Sequence, residues 1–224
     1  DGVRDYDVTG VKTCALPISS HEREYAMTLE VKKLSLSMDG MDPFCIKHFV
    51  TSAHDSIGDP QDGLEISSAA AGIEIALWDI VGKALETPVH RLLGGPCRDR
   101  IDVYANCWSD ESRSPDQLAS FAAQQVETGF KAVKLYPFLY GNSVDDGIAC
   151  LRAVRDAVGP DVSIFVDMWE RMRPEDLPRI IAALHAHKVP WFEDPANAND
   201  VDSLARIRAQ SKLPVVTGGT GRAH

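Results

Sequence analysis

The sequence has no Cys-x-x-Cys pair and no cysteine and histidine cluster at zinc-ligand spacing. Its five cysteines, Cys14, Cys45, Cys97, Cys107 and Cys150, are odd in number and widely separated, which points to reduced thiols rather than a disulfide framework or a structural zinc. Basic clusters are also lacking. A formal net charge of −10 argues against a nucleic-acid or anionic-membrane surface, because both need grouped Lys and Arg. It is compatible with a site for a divalent cation. No apolar run approaches the roughly 20 residues that span a bilayer. No Gly-x-Gly-x-x-Gly follows the first strand-like segment, so dinucleotide binding is unsupported. The expectation is a soluble, cytoplasmic protein without nucleic-acid or membrane partners.

What remains is ordinary globular composition. The 224 residues are 44% apolar and 25% charged, enough for one α/β barrel-sized domain or two smaller ones. The stretch DVTGVKTCALPI, Asp7 to Ile18, breaks both helical and strand periodicity and has neither the basic segment nor the apolar core of a signal peptide. It is similar to the translation of a common sequencing adapter, and GRAH at the other end resembles the reverse adapter. Residues 1–18 and 219–224 are therefore expected to be non-native tails, with a disordered natural tail as the alternative.

Between these stretches the pattern is regular. His21 to Met38 and Pro43 to Ile57 read as helices of mixed polarity joined at Asp39-Gly40. A stronger helix follows, in which Ile66, Ala70, Ile73, Leu77, Ile80 and Leu85 draw one apolar stripe. Asp62 and Glu65 form a capping-box-like start, and Thr87-Pro88 a stop. From Ile101 onward strands and helices alternate: IDVYANCW, KAVKLYPF, VSIFVDMW, VPWFEDP and LPVVTG as strands, with helices over 115–128, 144–158, 174–187 and 200–210 between them. Short apolar strands separated by helices predict a parallel sheet buried on both faces. Polar groups gathered at the C-terminal strand ends favour a (β/α) barrel over a doubly wound sheet.

The candidate chemistry lies at those strand ends. Lys134, Tyr136, Asp167 and Glu193 each fall at or one residue beyond an apolar run, which in a barrel turns them toward the mouth. A lone carboxylate after a strand is more often a helix cap. Two carboxylates on neighbouring strands, however, repel unless they are protonated or bridged by a cation, and Mg²⁺ is the hard, oxygen-seeking bridge. Asp167 and Glu193 are 26 residues apart, and a second step of 26 lands on Gly219. His185 and His187 read as solvated residues of a helix end. Lys134 also leaves open a Schiff-base aldolase that needs no metal, and a non-catalytic barrel or interface module remains a third possibility.

IEIALWDIVGKALETPVHRLLGG, GFKAVKLYPF, VDMW, WFEDP and LPVVTG resemble, in order and spacing, the mandelate racemase and muconate lactonizing branch of the enolase superfamily, over about Ser19 to Gly218. The resemblance implies the helical part of an α+β capping domain over 19–98 and an incomplete (β/α) barrel of about five strands over 99–218. It implies Mg²⁺ held by Asp167 and Glu193, with Gly219 where the third ligand is usually glutamate, and abstraction of the proton next to a substrate carboxylate through an enediolate. Lys134 matches the first position of a Lys-x-Lys motif whose second position is here Tyr136. A tyrosine starts near pKa 10 and is a poor base at neutral pH, which turns the expectation from racemase or epimerase and cycloisomerase toward an acid-sugar dehydratase, a lyase of carbohydrate catabolism. Asn106, Trp169 and Arg171 are expected to bind the hydroxy-carboxylate substrate, and Trp169 stands where some members resemble one another in carrying a catalytic histidine. The full-length protein is expected to be a homo-oligomer, and this chain alone to be inactive.

Overall fold

Residues 24–56, 64–108, 114–139 and 141–218 are described by a computed structural model. The proposed tails, Gly219, residues 21–23 of the first expected helix, Ile57 and the capping residue Asp62 lie outside the described residues. The chain divides into two compact units, residues 1–99 and 100–224. Among the described residues no helix is long and apolar enough to cross a membrane.

In the first unit, α1 (Glu24–Leu36), α2 (Ile46–Ser56), α3 (Leu64–Ala84) and the single turn α4 (Val89–Leu92) surround an apolar core. The buried stripe of α3 runs through Ala69, Ile73, Leu77 and Val81 and packs with Val31, Leu34, Ile46, Phe49 and Ala53. This is rotated from the expected stripe, because Leu85 is exposed and Ile66 and Ala70 are only half-buried. The helix is apolar around much of its circumference, so packing against α1 and α2 selects the face, and periodicity alone does not.

The second unit alternates β1 (Ala105–Asn106), α5 (Pro115–Glu127), β2 (Ala132–Leu135), α6 (Val144–Val158), β3 (Ser163–Asp167), α7 (Leu177–Ala186), β4 (Phe192–Glu193), α8 (Val201–Gln210) and β5 (Val215–Val216). A short 3₁₀ turn, Pro174–Asp176, precedes α7. All neighbouring strands are parallel, and their spatial order is β1-β2-β3-β4-β5. A doubly wound sheet reverses direction at a switch point; this sheet does not, which is the winding of a (β/α) barrel. The strands are shorter than the apolar runs that announce them. In the first run Ile101 and Val103 are exposed and only Ala105 and Asn106 pair; among the described residues the segment has β2 as its single strand neighbour.

Alternation along each strand sorts the side chains into two sets. Val133, Leu135, Ile164, Val166, Met168 and Phe192 pack with Leu118, Ala122, Leu151, Val154, Ile180, Leu184 and Ile207 of the helices. Lys134, Phe165, Asp167, Trp191 and Glu193 have the opposite parity and face the other side of the sheet. The helices begin where their sequences announce them. The side chains of Ser114 and Ser143 each accept from the backbone N–H three residues on, at Gln117 and Asp146, and their own backbone N–H groups donate to the Gln117 and Asp146 side chains, so both α5 and α6 open on a full capping box. Gly147, in the first turns of α6, admits the ring of Phe138: a Cβ there would meet ring carbons at 2.3 and 2.4 Å.

Arg155 holds the opposite end of the sheet. Its Nη1 donates to Gly159 O at 2.8 Å and Val162 O at 2.7 Å, and its Nε to His187 O at 3.1 Å. One guanidinium thus satisfies carbonyls at the end of α6, at the entry to β3 and at the end of α7, where helical partners run out. Charge-assisted bonds of this kind contribute about 1.5–3 kcal/mol each when measured singly. Because the three share one side chain, Arg155→Met is expected to cost roughly 3 kcal/mol, read as a lower urea midpoint at unchanged slope. A loss below about 1 kcal/mol would show that water replaces the guanidinium at these carbonyls.

Candidate active site

Parallel register sets the levels of the site. Asn106 pairs with Lys134 and Lys134 with Phe165, while Asp167 pairs with Glu193 and Glu193 with Val216. Register partners point to the same side, so the two carboxylates stand side by side at the strand ends, one pleat above the root of Lys134. The lysine bridges them. Its Nζ donates to Glu193 Oε2 at 2.6 Å and lies 3.0 Å from Asp167 Oδ2. Lys134 and Asp167 are each 6% exposed.

The supporting contacts are as specific. Asp167 Oδ1 accepts the backbone N–H of Trp169 at 2.9 Å, which fixes the carboxylate and leaves Oδ2 to the lysine. Below the charged level, Phe165 stacks on Trp191 at 4.4 Å and meets Tyr104 edge-on at 5.5 Å. This aromatic floor shields the ion pairs from one side and raises their mutual attraction. Beside them, Tyr136 lies 5.9 Å from the ring of Trp169, and Trp169 stacks on Trp108 at 6.5 Å.

Burial by itself pulls the Lys134 ammonium down, but its bonds to Glu193 and Asp167 outweigh burial, and the net shift is upward from the ordinary lysine value. Burial pushes the Tyr136 phenol up, against the opposing pull of Lys134 and of the Asn106 side chain. Both groups therefore hold their protons at neutral pH in this arrangement. The nearest charged neighbours of the lysine are two carboxylates, which favour its cationic form.

Lys134, Asp167 and Glu193 are thus brought into direct contact, and Tyr136, Trp169 and Asn106 adjoin them. Arg171 is exposed, with its backbone N–H on Met168 O, and the structure does not bring it into the cluster. Among the described residues no group of three metal-ligating side chains is present. Val216 is the register partner of Glu193, and residue 219, where the next step of 26 lands, lies outside the described residues. The donor set nevertheless fits Mg²⁺: two hard carboxylates on adjacent strands already converge on one cationic point, and Mg²⁺ is commonly held by one or two carboxylates with water and substrate oxygens completing the shell.

Residues 117–222 match the family described as enolase C-terminal domain-like, and residues 9–94 match the mandelate racemase/muconate lactonizing enzyme N-terminal domain. The chain belongs to the mandelate racemase/muconate lactonizing enzyme branch of the enolase superfamily. This member is 33% identical over 201 residues to a D-galactonate dehydratase from Ralstonia nicotianae, covering 86% of this chain and 52% of that one. It is 30% identical over 185 residues to a D-galactarolactone cycloisomerase from Agrobacterium fabrum, covering 81% of this chain and 48% of that one. A crystal structure of an enolase from Sargasso Sea environmental sequencing superposes with a TM-score of 0.81 at 27% identity, covering 92% of this chain and 54% of that one. The chain spans about half the length of the relatives it matches.

One buried carboxylate of this superfamily member had no role assigned from sequence. Asp194 is 4% exposed and adopts a left-handed φ of 43°. Its N–H donates to Val216 O at 2.8 Å, its carbonyl accepts from Glu170 N at 2.6 Å, and its Oδ1 accepts from Gly218 N at 3.1 Å. A single residue therefore ties the ends of β3, β4 and β5. The sequence signal was its place directly after Glu193 in WFEDP, where a helix cap is the ordinary reading. Asparagine keeps the Oδ1 acceptor and tolerates the left-handed region. Asp194→Asn is expected to stay within about 1 kcal/mol of the parent and Asp194→Ala to lose roughly 2 kcal/mol, measured by thermal unfolding; equal losses in the two variants would contradict an acceptor role.

Proposed function

We propose that the protein catalyses Mg²⁺-dependent abstraction of the proton α to a carboxylate, through an enediolate, and acts as an acid-sugar dehydratase. The observation that carries this reading is the convergence of Asp167 and Glu193, from adjacent strand ends, on the buried ammonium of Lys134, beside Tyr136. The dehydratase relatives of this chain support the choice of reaction within the superfamily. In such a reaction the α-proton passes to a general base, a role that neither protonated Lys134 nor protonated Tyr136 fills here, the β-hydroxyl leaves as water with a proton from an acid, and the enol that remains tautomerises to a 2-oxo acid.

Asp167 and Glu193 would hold the metal, which supplies electrostatic stabilisation to negative charge developing on the substrate carboxylate. The chain's own groups do the rest on this side. Lys134, kept as a cation, orients an anionic substrate group. Tyr136, whose phenol holds its proton, fits hydrogen-bond donation or proton delivery better than proton removal. Trp169 and Asn106 flank them as substrate-binding groups, and Arg171, exposed and outside the cluster, is given no part. A protonated lysine paired with two carboxylates is a poor amine nucleophile, which weighs against the Schiff-base reading.

Exchange of the substrate α-hydrogen for solvent deuterium, followed by NMR with D-galactonate and D-gluconate, tests the reading in the full-length enzyme. Asp167→Asn and Glu193→Gln are each expected to abolish Mg²⁺-dependent exchange, and Lys134→Ala to slow turnover by about 10²-fold or more. Tyr136→Phe is expected to lower kcat with KM nearly unchanged. Exchange that persists in the carboxylate variants or without Mg²⁺ would overturn the metal assignment, and a change confined to KM would make Tyr136 a binding residue.

A further inference from the structure

Both mouth-facing carboxylate oxygens are already committed to one positive charge. Lys134 Nζ is 2.6 Å from Glu193 Oε2 and 3.0 Å from Asp167 Oδ2. The same ammonium lies 5.3 Å from the ring centroid of Tyr136 and 5.9 Å from that of Tyr104, distances at which aromatic faces also favour a cation. Asp167 is locked by the Trp169 N–H, and Glu193 is fixed by its register beside Asp167. A pair of buried like charges needs a counter-charge. Here the counter-charge is covalently tethered, on the neighbouring strand, one pleat below.

We propose that Lys134 is the resident counter-ion of the Asp167–Glu193 pair, and that a divalent cation binds these carboxylates by displacing the ammonium, which then turns to an anionic substrate group. The proposal rests on the assignment of the two carboxylates to a divalent cation. It makes Lys134 a positioning residue for the ligands before the metal arrives and a competitor at the moment of binding. Because the metal binds only those molecules whose lysine has moved aside, apparent affinity is lowered by the fraction that is competent. Removing the ammonium therefore has two opposite effects. The chain without metal loses its counter-charge and weakens, while its affinity for the metal rises.

The test uses the 224-residue chain, Lys134→Met and Lys134→Arg, each treated with EDTA, melted with and without Mg²⁺, and titrated with MgCl₂ by calorimetry. Lys134→Met is expected to melt about 5 °C or more below the parent without metal, to recover much of that loss in excess Mg²⁺, and to bind Mg²⁺ about tenfold more tightly. Lys134→Arg keeps the charge and is expected to resemble the parent in both measurements. A second arm needs no metal: Asp167→Asn added to Lys134→Met removes one of the two repelling charges and is expected to raise the melting temperature of that variant. Unchanged or weaker Mg²⁺ binding by Lys134→Met, with binding intact in the parent, overturns the displacement. Failure of Asp167→Asn to stabilise Lys134→Met overturns the counter-ion role. A parent that binds no Mg²⁺ overturns the metal assignment and the displacement with it.

Discussion

Two carboxylates rooted on neighbouring strands of a parallel sheet are separated at the backbone by about 4.8 Å, and the helices behind the sheet leave them little freedom to part. Everything at the strand ends of this protein is arranged around that repulsion. Lys134 answers it with charge, the Tyr104, Phe165 and Trp191 layer shields the ion pairs from below, and the Trp169 N–H fixes one of the two carboxylates. A buried ion pair is weak evidence of stability, because desolvation offsets much of its Coulomb energy. Under the proposed function the ion pair is pre-organisation: it holds the two carboxylates at one point.

That packing follows from the winding of the sheet. Because the five strands run in sequential order, the helical core collects the odd-parity apolar residues of β2, Val133 and Leu135, and the even-parity residues of β3, Ile164 and Val166, with Met168 just beyond it, on one side. The opposite side is then free to carry lysine, carboxylates and aromatic rings at adjoining levels. Arg155 and Asp194 close the two ends of this arrangement. Arg155 satisfies the carbonyls that helix ends and strand entries leave over, and Asp194 fastens three strand ends at the site itself. The left-handed conformations of Trp169, Glu170 and Asp194 cluster where the backbone turns away from the sheet, and strain of this kind gathers where geometry is over-determined.

Much of this was legible in the chain before any coordinates. The strand and helix alternation after Ile101 could be read because each strand is a short apolar run, and α5, α6 and α8 follow a serine or aspartate that caps them. Helix α6 is found over the same residues that its pattern predicted, 144 to 158. Lys134, Asp167 and Glu193 could be read because each is a charge at the end of an apolar run. What could not be read depends on contacts between elements. The rotation of the α3 stripe depends on which neighbours pack against it, and the pairing of Glu193 with Val216 depends on register, which a constant spacing of 26 does not encode. The bridging position of Lys134 needs the depth of a pleat as well as its sequence position. The role of Asp194 leaves little trace in the sequence because two of its three bonds are made by its backbone.

The account turns on Asp167 and Glu193 sharing one divalent cation. Anomalous diffraction from crystals soaked in Mn²⁺, a stand-in for Mg²⁺ with a usable absorption edge, tests it most directly. The account predicts one dominant peak within about 2.3 Å of an oxygen of each carboxylate. A dominant peak elsewhere in the second unit, or one at which either carboxylate is still bonded only to Lys134, would contradict it.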